Sequence, residues 1–124
     1  MKKTILLTAS VLGVISIIIG AFGSHGLYDY LISIDRLDAF QVSVRYQFYH
    51  VFFLLVLGLL CDMLDSIFIR YAFYSCLLGI LLFSGSLYIL CLTNNSLYGM
   101  VTPFGGCALI FAWIFLFLSI VRSN

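Results

Sequence analysis

Between Tyr71 and Val121 the chain reads YAFYSCLLGILLFSGSLYILCLTNNSLYGMVTPFGGCALIFAWIFLFLSIV, without a single charged residue. As one helix this stretch would rise about 75 Å at ~1.5 Å per residue, over twice the ~30 Å hydrocarbon core of a bilayer. It must fold back on itself. Thr93-Asn94-Asn95-Ser96 is the polar break, and Thr102-Pro103 reads as an N-cap residue followed by proline at the first helical position. Two membrane-crossing helices follow, near residues 71–92 and 102–121.

Outward from there, the uncharged run from Tyr46 to Cys61, bounded by Arg45 and Asp62, gives a span near 43–61, and Thr4 to Gly23 gives another near 4–23. The run after Arg45 is short, about 24 Å of helix. Arg45 should therefore sit near one interface and snorkel its guanidinium toward headgroups. The helix should also begin earlier, with Asp35 and Asp38 at N-cap and first-turn positions favoured by the helix dipole. Between the first two spans Leu27, Tyr30, Leu31, Ile34 and Leu37 recur at helical spacing, which fits either a short interfacial helix or a solvated loop. The sequence thus predicts an all-α membrane protein: one transmembrane domain over residues 1–124, built as a four-transmembrane-helix bundle.

Composition agrees. Of 124 residues 64% are hydrophobic, 17% aromatic and 9% charged, where a soluble domain is nearer half apolar and a quarter charged. A soluble enzyme, a disordered chain and a disulfide scaffold are excluded. A net charge of +1 with no basic stripe excludes a nucleic-acid partner. Met1-Lys2-Lys3 with Ala21-Phe22-Gly23 looks superficially like a cleavable leader, but the apolar stretch is too long and three more spans follow. With four spans the two termini share one side with Lys2, Lys3, Arg70 and Arg122, opposite Arg36 and Arg45, which predicts cytoplasmic termini.

Lipid removes the hydrophobic drive between helices, so small residues must let them approach. Span one offers Ala9, Gly13, Ser16, Gly20 and Gly23 on one face; span three offers Ser75, Gly79 and Ser86 with Ser84 and Gly85 beside them. Span four offers Gly105, Gly106, Ala108, Ala112 and Ser119. These positions predict packing seams. Cys61, Cys76, Cys91 and Cys107 stand singly, without metal-ligand spacing, and read as reduced packing residues.

Chemistry has few places to live. The polar residues at membrane depth are His25, Arg45, Gln47, His50, Ser84, Ser86, Tyr88 and Thr102, all mapping toward one side of the bilayer. An intramembrane polar group needs a partner, so these residues predict either a packing network or a binding site. His25 and His50 are the only histidines and could hold a haem, a metal or a quinone-like headgroup if they met; hydrogen bonding across helices is the other reading. The chain has no Glu, every Asp lies outside the apolar spans, and no HExxH, P-loop or dinucleotide fingerprint is present. A non-enzyme without metal or cofactor is expected, with the lipid bilayer, a membrane-protein partner or further copies of itself as its contacts.

Four blocks carry a resemblance: Gly20-Ala21-Phe22-Gly23-Ser24-His25-Gly26-Leu27, Arg45-Tyr46-Gln47-Phe48-Tyr49-His50, Leu82-Phe83-Ser84-Gly85-Ser86-Leu87-Tyr88, and Val101-Thr102-Pro103-Phe104-Gly105-Gly106 with Trp113. They resemble the YgdD-type family of small multi-pass membrane proteins of bacterial inner membranes, with mitochondrial relatives in animals. The family usually reads Gly-Ala-His where this chain has Gly23-Ser24-His25. The resemblance implies four helices and an inner-membrane address, and brings no established activity. It also sharpens one expectation: that His25, Gln47, His50, Ser84, Ser86, Tyr88 and Thr102 form a single polar cluster.

Overall fold

A computed structural model describes residues 1–123. Its helices are α1 (Lys2–Ser24), α2 (Tyr28–Ser33), α3 (Leu37–Leu60), α4 (Ser66–Thr93) and α5 (Thr102–Arg122), with a 3-10 turn over Ser96–Met100. Four of them, α1, α3, α4 and α5, are long and apolar enough to cross a membrane. They run alternately up and down. One rim of the bundle carries both termini and the α3–α4 connection; the other carries α2 and the α4–α5 connection. We call these the terminal rim and the α2 rim.

The helices extend past the uncharged runs, and local chemistry shows why. Asp65 accepts hydrogen bonds from the backbone N–H groups of Ile67 (3.0 Å) and Phe68 (3.2 Å), so α4 starts at Ser66 rather than near residue 71. The second span likewise starts at Leu37, with Asp38 in its first turn, giving 24 residues and about 36 Å of helix. That resolves its apparent shortness. The polar break ends α4 at Asn94, whose left-handed backbone (φ 50°) terminates the helix. Asn95 then accepts from the Leu97 N–H to start the 3-10 turn.

Two capping assignments need correction. Asp35 does not open α3; it closes α2. Its backbone is left-handed (φ 57°), its N–H bonds the Ile32 carbonyl, and the Arg36 N–H bonds the Leu31 carbonyl at 2.9 Å. This is the double bond pattern of a Schellman stop, with Asp35 in the place glycine most often takes. Thr102 is likewise not an N-cap but the first residue of α5, and its hydroxyl is left free for another helix. The segment between spans one and two does form a helix, α2, and buries Leu31 completely.

Packing pairs α1 with α3, α3 with α4 and, most extensively, α4 with α5. The main core joins Ile5 and Ala9 of α1, Leu54 and Leu57 of α3, Cys76 of α4 and Ala112 of α5, among others. A smaller one under α2 holds Leu31, Phe40, Leu90 and Cys91. The four cysteines are free; Cys76 and Cys91 are buried, whereas Cys107 is exposed.

The tight seam is between α4 and α5, not on α1. A Cβ on Gly105 would collide with the backbone of Leu82 and Phe83, and one on Gly79 would lie 2.9 Å from the Leu109 backbone nitrogen. On α1 only Gly23 is as crowded, against the Phe40 ring; Gly13 and Gly20 would place a Cβ at ordinary contact distance from Val51 (3.5 Å) and Val44 (3.4 Å). Ala9 and Ser16 are buried on the same face. Gly85 has open space around it and Gly106 only distant contact with Phe83, so neither serves as a seam. Ala108 is half-buried and Ala112 fully buried. Gly58, backing onto Leu6 and Ile5, is a close approach that the spacing of small residues did not mark.

Gly105→Ala should therefore lower stability by about 1–3 kcal/mol or more, since backbone cannot move aside as a side chain can. Gly85→Ala should raise it by about 0.5–1 kcal/mol through helix propensity alone. Thermal melting of both variants in one detergent checks the pair; equal shifts would remove the close approach from the account.

Candidate functional site

Side chains on an α-helix lean toward its N-terminus, so those on antiparallel neighbours lean toward each other. Between α3 and α4 this produces a compact polar junction. Ser43 donates its hydroxyl to the Ser84 carbonyl, and Ser84 donates to the Ser43 carbonyl, both at 2.9 Å and both wholly buried. One turn further along α3, Gln47 meets Tyr88, which sits one turn beyond Ser84; the Tyr88 hydroxyl donates to Gln47 Oε1 at 2.6 Å. The tyrosine ring packs on Phe40. Three side-chain bonds thus tie α3 to α4 where their backbones approach.

From α4 the network passes to α5. The hydroxyls of Ser86 and Thr102 lie 2.6 Å apart, and Ser86 also bonds the Phe83 carbonyl at 3.0 Å. This joins the first turn of α5 to α4 on the level where Gly105 touches Phe83. From α3 a second link reaches α5: Trp113 Nε1 donates to His50 Nε2 at 3.2 Å. An indole N–H can only donate, so Nε2 accepts, and the proton of this neutral imidazole resides on Nδ1. There it is given to the Tyr46 carbonyl at 2.8 Å. Both ring nitrogens are engaged.

His25 and Arg45 stand apart from this cluster. His25, just past the end of α1, is exposed and borders a shallow surface hollow with Ile18, Ala21, Phe22 and Gly26 of its own segment. Gly23, two residues earlier, packs on Phe40, and from Phe40 to His50 α3 rises about 15 Å. The two histidines therefore do not meet, and the expectation that His25 joins His50 in one cluster is corrected. Arg45 is exposed and faces a groove between α1 and α3. The residues that do come together are Gln47, His50, Ser84, Ser86, Tyr88 and Thr102, linked in four hydrogen-bonded groups rather than around a shared cavity.

Sequence reasoning missed Ser43, because it stood at the supposed start of the second span, and Trp113 as a donor to His50. It also placed nearly all polar atoms at the α2 rim. The terminal rim has its own set: Lys2 pairs with Asp62 at 2.8 Å, Ser119 donates to the Asp65 carbonyl, Ser123 accepts from the Asp65 N–H, and Arg122 lies over the Phe68 ring. Among the described residues no buried side-chain nitrogen or oxygen lacks a hydrogen-bond partner, and no three His, Cys, Asp or Glu side chains gather as a metal-holding group.

The family defined as DUF423, protein of unknown function, matches residues 19–106. The chain belongs to the DUF423 family. The matched stretch takes in all of α3 and α4 with the α2-rim ends of α1 and α5, so the Ser43–Ser84, Gln47–Tyr88 and Ser86–Thr102 links lie inside it, and the Trp113 link and the terminal-rim contacts do not. Relatives of this DUF423 chain include the UPF0382 membrane protein YwdK of Bacillus subtilis, 36% identical over 97% of this chain and 98% of the relative. A UPF0382 membrane protein of Haemophilus influenzae is 34% identical over 100% and 98%, and the UPF0382 inner membrane protein YgdD of Escherichia coli is 31% identical over 98% and 92%. No solved structure matches the chain.

The Tyr88–Gln47 bond should show energetic coupling. Tyr88→Phe leaves Gln47 Oε1 without its donor, so a cycle of Tyr88→Phe, Gln47→Leu and the double variant should give a coupling of about 0.5–2 kcal/mol. Strictly additive melting shifts would mean that the bond does not hold α3 to α4.

Proposed function

We propose that this DUF423 protein is a non-catalytic membrane module whose buried polar network sets helix register, and which acts by contact with another membrane component. One observation carries the reading: the buried polar groups are neutral and already bonded within the chain. A catalytic or cofactor site needs an uncommitted acid, base or ligand aimed at a cavity, whereas Gln47, Ser84, Ser86, Tyr88 and Thr102 are spent on one another and on the backbone. A shared His25/His50 cofactor site has no support from the geometry, because His50 has both nitrogens occupied and His25 lies outside the bundle.

In this reading the protein resides in the bacterial inner membrane, as the name of the Escherichia coli relative says of that protein. The termini face the cytoplasm, since the terminal rim carries Lys2, Lys3, Arg70 and Arg122 against Arg36 and Arg45 opposite.

The test is purification in mild detergent with visible spectroscopy, metal analysis and mass spectrometry of bound molecules, on wild type and on His25→Ala/His50→Ala. The expected result is no Soret band, metal well below one per chain, and the same bound molecules in both proteins. A chromophore or metal near one per chain, lost from the double variant, would overturn the non-catalytic reading in favour of a cofactor subunit.

A further inference from the structure

We propose that the groove between α1 and α3 at the α2 rim is a binding site for the phosphate of an anionic phospholipid, held by Arg45 with help from Gln41 and Ser24. The proposal stands independently of the function argued above, because none of these three side chains takes part in the buried network.

The groove exists because two glycines face α3. Gly20 and Gly23 leave a hollow of about 290 Å³ floored by Phe40 and Val44, with Ser24, Gln41 and Arg45 around its mouth. An apolar floor with a polar mouth fits a molecule that is itself part chain and part headgroup. Gln41 and Arg45 are four residues apart on α3 and so share one side of the helix.

Arg45 lacks what the better-placed cations have. Arg36 donates to Asn94 at 3.1 Å, Lys2 pairs with Asp62, and Arg122 lies over Phe68. Lys3 and Arg70 lie at the terminal ends of their helices, within reach of water. Arg45 instead stands about 12 Å along α3 from its start, inward of the interfacial end of the helix, with no hydrogen bond or ion pair to any described residue. Asp38, the acidic residue nearest it on the same face, is about 10 Å nearer the water and makes no ion pair with it. A guanidinium set back from water in this way is favoured by an anion that it can reach by snorkelling.

The phosphodiester of a lipid headgroup supplies that anion at the level the snorkelling side chain reaches. The planar fork of arginine matches two phosphate oxygens, and the Gln41 amide and Ser24 hydroxyl add neutral donors. A free phosphate ion would have to leave water to reach the same place, whereas a lipid phosphate is held there by its own chains.

Native mass spectrometry of the full chain in mild detergent tests the site, with phosphatidylglycerol as probe, phosphatidylcholine as the zwitterionic control and inorganic phosphate as competitor. Wild type should retain phosphatidylglycerol roughly fivefold or more above phosphatidylcholine, and Arg45→Ala should erase the difference. Arg45→Lys should keep part of it, since charge survives but the fork does not. Gln41→Ala/Ser24→Ala should weaken it while leaving Arg45 in place, and Arg70→Ala should leave it unchanged. All four positions are exposed, and unchanged melting of each variant shows that the bundle is intact. Equal retention of both lipids by wild type, or undiminished phosphatidylglycerol retention in both Arg45→Ala and Gln41→Ala/Ser24→Ala, would overturn the site. Displacement of the lipid by millimolar inorganic phosphate would overturn the lipid as its occupant.

Discussion

The most extensive packing in this bundle depends on how near α5 can come to α4. In lipid an apolar side chain gains nothing by leaving its surroundings for another helix, so association rests on close packing and on hydrogen bonds that need short reach. Gly105 seats α5 directly on the backbone of Leu82 and Phe83. That contact brings Thr102 within 2.6 Å of Ser86 one turn away, and Gly79 lets Leu109 settle against α4 further along. With any side chain at residue 105, the helices would separate at the level where their first polar link forms.

The same logic governs α3 against α4, with serine in place of glycine. The reciprocal bonds of Ser43 and Ser84 run to backbone carbonyls, so they can form only where the two backbones nearly touch. Such bonds record one register. Sliding either helix by a turn would break both reciprocal bonds and leave the hydroxyls only carbonyls of their own helices to bond, and Tyr88 would lose Gln47 at the same time. Neutral groups suit this role because their desolvation is mild enough for a single good bond to offset it.

The span count and helical class were legible because charge and hydropathy change over whole helices, and no local detail can reverse them. The limits of the helices were less so. Asp65 and Asp38 extend α4 and α3 past the uncharged runs, because a carboxylate at a helix start is favourable in water just outside the lipid. Asp35 was misassigned because an aspartate can serve a helix start or occupy a left-handed stop, and only the backbone decides between them. Small-residue spacing located faces but not distances: Gly13 and Gly85 look like Gly105 in one dimension, yet only Gly105 meets a neighbour's main chain. His25 and His50 failed to meet for a similar reason, since proximity to the same boundary in sequence says little about depth.

The order in which the helices pack has a consequence for biogenesis. Among the crossing helices made before it, each membrane-crossing helix rests chiefly on the one immediately preceding: α3 on α1, α4 on α3, α5 on α4. Tyr30 of α2 waits above the bundle and receives the last carbonyls of α4, at Cys91 and Leu92, when that helix arrives. The nascent protein can thus settle helix by helix as it leaves the ribosome, while Tyr30, His50 and the α5-facing side of α4 wait for partners made later. A chain interrupted before α5 would still hold the α1–α3–α4 contacts, and would present to the insertion machinery a vacancy shaped for one last helix.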